Sequence, residues 1–176
     1  MGNRNEVQQL QNEETARIRH TILKKVESYS DTELNERPSA SEWSAMQILD
    51  HLHKMEETIA AGVAKTAEKN QQKKALKKPI QISVSRKVKV EAPKHTVPEE
   101  KFIRFDEMKE KLTASRNRLY EVYSHTDEDT LKNNSMPHPV FGDVPLVQWF
   151  PFVGYHEKRH FLQLEETLRK IDEKNK

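Results

Sequence analysis

Gly154-Tyr155-His156-Glu157-Lys158-Arg159-His160 is the stretch on which the reading of this chain turns. On an α-helix, residues four apart lie one above the other, about 6 Å along the axis. His156 and His160 have that spacing. They continue a stripe of Trp149, Val153, Leu164, Leu168 and Ile171, while Glu165, Glu166, Arg169 and Lys170 fall toward water. Two polar rings on a buried face are costly unless something compensates them. One divalent metal reached by both imidazoles is such a compensation. The stretch also spells H-E-x-x-H, the zinc-peptidase pattern with Glu157 as general base. No further glycine and histidine follow in the required order, and no sheet is evident to align a peptide, so the peptidase reading is set aside. Glu157 is left with two readings, as the residue that orients a water at the metal or as a plain surface glutamate.

A second helix supplies a third candidate. Ser44 is a good N-cap, Gln47 at N3 completes a capping box, and Trp43 with Ile48 can form a hydrophobic staple. Together these contribute about 1–2 kcal/mol. The apolar face then reads Ile48, His51, Leu52, Met55, Ile59 and Val63. His51 lies on it, whereas His53 is about 200° away around the axis. Three histidine nitrogens with one position left open form the pattern of a catalytic metal site. Neutral imidazoles suit zinc, nickel, iron or copper better than hard cations.

The remaining elements are also helical. Glu6 to Tyr29 reads as a first helix striped by Val7, Leu10, Ile18, Ile22 and Val26, with Thr15 a weak point and His20 on the surface. Ser30 to Ala40 reads as a loop. A third long helix from Phe105 to Ser124 carries Met108, Leu112, Leu119 and Val122, with Ser115 as a gap-filler, and a short helical turn is expected after Asp127. From Ser135 to Pro145 two prolines around His138 preclude a helix. Gly142 reads as a turn, Asp143 as an N-cap and Pro145 as a first-turn residue, with Pro151 kinking the last helix or delaying its regular start. The bend from Pro139 to Gly142 either leaves His138 exposed or carries it, or Phe141, to the mouth of the site.

Residues 65–98 form a basic arm between the second and third long helices. Lysines and arginines there face only Glu68 and Glu91. Pro79 is expected to end the preceding helix, and Ile80, Ile82, Val84, Val88 and Val90 to make a short irregular strand. The arm reads as a solvated connection in preference to a site for phosphate or an acidic partner. No aromatic interrupts it, so the stacking that single-stranded nucleic acid requires is missing.

Composition bounds the rest. The 176 residues suit one domain, 1–176, and 34% hydrophobic against 33% charged residues favours an all-α bundle of amphipathic helices. With only 4 glycines there are few candidate tight turns. The chain has no cysteine, which excludes disulfides and thiolate ligands and suits a cytoplasmic location. A polar N-terminus is not a signal peptide, and no stretch has the length of a membrane span. A net charge of +2 is too balanced for a general nucleic-acid signal.

The chain resembles DinB-like proteins. The resemblance is carried by Trp43-Ser44 followed by Ile48-Leu49-Asp50-His51-Leu52, by His138-Pro139-x-Phe141-Gly142, by Trp149-Phe150, and by His156-x-x-Arg159-His160-x-x-Gln163. It implies a four-helix up-down-down-up bundle, commonly a homodimer, with a divalent metal held by His51, His156 and His160. Zinc or nickel would come first, and iron or manganese after them. Relatives described as metal-dependent hydrolases, and others that transfer groups to bacillithiol, mycothiol or glutathione, imply a small-molecule substrate and a thiol cosubstrate. Thiol S-transfer is the first expectation. Hydrolysis by metal-bound water and a non-catalytic metal-binding role are the alternatives.

Overall fold

The computed structural model describes residues 2–87 and 91–176, with side chains from residue 13 onward. The helices are α1 (Gly2–Val26), α2 (Asp31–Asn35), α3 (Ala45–Lys69), α4 (Phe105–Ser124), α5 (Glu128–Asn133) and α6 (Trp149–Lys174). A hairpin of β1 (Ser135–His138) and β2 (Gly142–Pro145) precedes α6. The side chains of Val7 and Leu10, and all of Val88 and Val90, lie outside the described residues. No helix among the described residues is long and apolar enough to cross a membrane.

Side-chain pairings give the directions of the four long helices. Arg19 meets Glu157 and Tyr29 meets Asp172, so α1 and α6 run parallel. Glu56 meets Ser115, and the start and end of α3 share apolar clusters with the start and end of α4, so these two are also parallel. The start of α3 clusters with the later turns of α6, which makes that pair antiparallel. The result is the up-down-down-up bundle that the resemblance implies. Two parallel neighbours demand a crossover. The 25 residues of α3 rise about 37 Å, a length that the connection between Asn70 and Arg104 must return. The basic arm is this crossover. It is stitched down by Lys78 N–H donating to Gln148 Oε1 at 2.7 Å, Ser135 Oγ donating to the Lys73 carbonyl at 2.7 Å, and buried Ile80.

Local signals hold where they are strongest. Gln47 N–H donates to Ser44 Oγ at 3.1 Å and Ser44 N–H to Gln47 Oε1 at 3.0 Å, which completes the expected capping box. Gly142 turns the hairpin with φ +66. Asp127 caps α5, accepting from Thr130 N–H at 2.8 Å.

Several expectations are corrected. The Ser30 to Ala40 loop contains α2, capped by a second capping box from Ser30 and Glu33. The second long helix stops at Lys69 rather than at Pro79, because Asn70 takes the left-handed conformation that ends a helix, φ 40. Ile80 to Val84 forms a 3₁₀ turn instead of a strand, burying Ile80 and leaving Ile82 exposed. Asp143 and Pro145 belong to β2 and do not open α6, which starts at Trp149 after a 3₁₀ turn. Pro151 therefore sits third in α6, where its missing N–H would have had no helical partner. Gly154 lets α1 approach closely: a Cβ there would meet Thr15 Oγ1 at 2.7 Å. The supposed weak point Thr15 is thus a helix-crossing residue, 2% exposed.

Candidate metal centre

His51, the seventh residue of α3, stands near His156 and His160 on α6. Ring centroids are 5.2 Å apart for His51 and His156, 4.7 Å for His51 and His160, and 4.5 Å for His156 and His160. One nitrogen from each ring lies within 4.8 Å of the other two. Ligands around a tetrahedral ion with bonds of about 2.1 Å sit about 3.4 Å apart. The three rings thus converge to within small side-chain adjustments of that spacing.

The donor chemistry fits as well. His51 Nδ1 lies 2.9 Å from the Thr96 carbonyl, which can only accept, so Nδ1 carries the proton and Nε2 keeps its lone pair. His160 Nδ1 likewise donates to Gln163 Oε1 at 2.9 Å. Anchoring one ring nitrogen so that the other faces a metal is the usual arrangement around bound ions. Burial, then the neighbouring rings, holds His156 well below its ordinary pKa. Burial and His51 bring His160 to about 3. Burial lowers His51, against an opposing contribution from its Thr96 bond. All three rings therefore stay neutral near pH 7, the state in which imidazole is a ligand. Trp43 flanks His51 at 5.1 Å and Phe152 flanks His156 at 5.9 Å, giving the cluster apolar walls.

His138 ends β1, half-buried among Phe141, Trp149 and Phe152, with centroids 4.9 to 5.6 Å away. Its Nδ1 accepts from the N–H groups of Val140 at 3.0 Å and Phe141 at 3.3 Å. Phe152 stands between it and His156, so the bend carries His138 to the edge of the cluster but not into it.

Glu157 is not a surface residue, because it is 1% exposed. Its Oε1 accepts from Arg19 Nε at 2.5 Å and its Oε2 from Arg116 Nη2 at 3.0 Å. Those guanidiniums also bind Glu56, 1% exposed, through Arg19 Nη2 at 3.1 Å and Arg116 Nε. Burial pushes the Glu56 carboxyl up, but Arg19 and Arg116 outweigh it and hold it below the usual range. Periodicity does not reveal this network, since Arg19 and Arg116 look like surface charges in sequence. Gln163 was legible as the i+3 neighbour of His160. The Thr96 carbonyl had no such signal.

Three comparisons bear on the chain. The family model of the DinB superfamily matches residues 14–164. An uncharacterized protein, YuaE of Bacillus subtilis (strain 168), is 36% identical over 143 residues, covering 81% of this chain and 88% of that protein. The crystal structure of TT2238, described as a four-helix bundle protein, superposes with a TM-score of 0.57 over 90% of this chain and 98% of that one. At 15% identity it speaks for the fold alone.

Proposed function

This chain belongs to the DinB superfamily, and from that membership and its three converging imidazoles we propose a metal-dependent enzyme that transfers groups to the sulfur of a bacillithiol-type thiol. The observation that carries the reading is the cluster of neutral rings with Nδ1 anchored on Thr96 and Gln163. His51, His156 and His160 would hold a divalent cation, zinc or nickel before iron or manganese. When bound, that cation supplies Lewis acidity, which lowers the pKa of a thiol or a water that reaches it. Three nitrogens leave room for a small molecule. Trp43 and Phe152 keep bulk water off the cluster, and Thr96 and Gln163 hold the two rings in orientation. In the transfer, the sulfur lone pair forms the new bond to an electrophilic carbon. The leaving group departs with its electron pair, and the thiol proton passes to solvent. Glu157 takes no part as a base in this reading, since both its oxygens already accept from guanidiniums.

Metal analysis of the purified protein is the first test. Stoichiometric divalent metal is expected, and His156→Ala should lose it; full occupancy in that variant would refute the site. Incubation with bacillithiol and monochlorobimane should then give protein-dependent conjugation. If several electrophiles give none while the metal is bound, S-transfer is refuted and hydrolysis or a non-catalytic metal-binding role is left.

A further inference from the structure

One charge from each long helix meets in the middle of the bundle. Arg19 comes from α1, Glu56 from α3, Arg116 from α4 and Glu157 from α6. They form a closed ring of alternating sign, Glu56–Arg19–Glu157–Arg116 and back to Glu56. Every carboxylate oxygen accepts from a guanidinium, and Glu56 Oε2 accepts also from Ser115 Oγ at 2.6 Å. Each guanidinium has a further hold on backbone, Arg19 Nη1 on the Leu112 carbonyl at 2.8 Å and Arg116 Nη1 on the Thr15 carbonyl at 3.3 Å. Side-chain exposures are 9% and 8% for the arginines and 1% for each glutamate. The ring separates two apolar clusters, one holding Leu52, Leu112 and Leu164, the other Ile59, Leu119 and Val153.

We propose that this ring is the positioning device of the three-histidine site, fixing where α6 sits along α3 and thereby the separation of His51 from His156 and His160. The proposal rests on the reading that the cluster takes a metal. His51 rides on one of two antiparallel helices and its partners ride on the other. Sliding one helix by a single turn moves a residue by about 5.4 Å, more than the 4.7 Å between the His51 and His160 rings. Apolar contact is non-directional, and Leu, Ile and Val recur turn after turn in both clusters. Such packing sets which helices are neighbours better than it sets axial position. Charge pairs are directional, and a buried charge that loses its partner is strongly disfavoured, so a slipped register leaves charges unpaired. The ring is also close to the site. Glu157 follows His156 directly, and Glu56 lies five residues beyond His51, about 7.5 Å along α3. Fixing a register is the best-attested use of buried polar groups between helices.

Two variants test this. In the first, Arg19→Met, Glu56→Leu, Arg116→Met and Glu157→Leu together replace the ring by apolar residues, an exchange that commonly keeps or raises stability. The second is Glu157→Gln alone, which keeps the shape and removes one charge. The readouts are zinc affinity by chelator competition, the visible spectrum of the cobalt-loaded protein, helicity and unfolding midpoint. The expected result for the fourfold variant is native helicity with zinc affinity weakened about tenfold or more and an altered cobalt spectrum. Glu157→Gln should shift both in the same direction by less. A well-folded fourfold variant with wild-type zinc affinity and cobalt spectrum would overturn the proposal. Should it not fold, Glu157→Gln decides on the same two readouts. Should the wild type bind neither ion, the metal reading itself has failed. A crystal structure of either variant then decides about the ring: an undisturbed His51 to His160 separation overturns it, and axial displacement of α6 along α3 supports it.

Discussion

Acidifying the metal-free protein should weaken it through the same rings that would hold the ion. Burial holds His156 well below its ordinary pKa and brings His160 to about 3. Between about pH 7.5 and about pH 5 His160 therefore stays neutral in the folded chain, whereas in the unfolded chain it takes up a proton near pH 6.5. The unfolded state binds more protons in this window, so stability rises with pH and is lost as pH falls. The contribution is fully present above the unfolded value. Its loss has a limiting slope of about 1.4 kcal/mol per pH unit for each ring. Integrated from about pH 7.5 to about pH 5, that is about 2 kcal/mol for His160. His156 and His51, also lowered, add in the same direction. Urea unfolding followed by circular dichroism, with a chelator present, measures this. A His156→Phe, His160→Phe double variant should show a pH dependence flatter by about 2 kcal/mol or more over the range. If wild type and double variant lose stability equally on acidification, the rings are not held neutral by burial and the reasoning fails.

Further expectations follow from single contacts. Gln163→Leu removes the acceptor that orients His160 and should weaken zinc binding roughly 10- to 100-fold in chelator competition, without a matching loss of helicity. Gly154→Ala drives a Cβ against Thr15 Oγ1 at 2.7 Å and should cost about 1–3 kcal/mol of overpacking, opposed by about 1 kcal/mol of helix propensity. In a Thr15→Ala background the clash is gone and the same change should stabilise, so a double-mutant cycle of thermal melts reads the coupling. Ser44→Ala breaks the capping box of α3 and should lower stability by about 1 kcal/mol in urea titration, with metal content unchanged.

Much of the architecture was written locally. Ser44, Gln47 and the stripe from Ile48 to Val63 mark α3 because capping and the 3.6-residue period act within a turn or two. The same period singles out His51 over His53 and puts His156 with His160. Misreadings arose where tertiary contacts overrode local preference. Ile80, Ile82 and Val84 alternate like a strand, yet among the described residues no strand pairs with them, and the chain winds into a 3₁₀ turn that buries Ile80 against α6. Asp143 and Pro145 look like a helix start, but β1 recruits them, pairing Ser135 with Pro145 and His138 with Gly142. Glu157 fits either an active-site base or a surface charge in the H-E-x-x-H stretch. Arg19, 138 positions away, and Arg116, 41 positions away, give it its third role.

Hydrophobic period, caps and the four-residue spacing of His156 and His160 depend on neighbours a few residues apart, and these the amino-acid order settles by itself. It established four amphipathic helices and which rings face inward. Whether those rings meet depends on how two antiparallel helices lie along each other. That is decided between residues far apart in the chain, by charges that become partners only once water is excluded from between the helices. The tertiary structure alone supplies the closed ring of Arg19, Glu56, Arg116 and Glu157, the crossover that brings the Thr96 carbonyl to His51, and the close approach of Thr15 to Gly154.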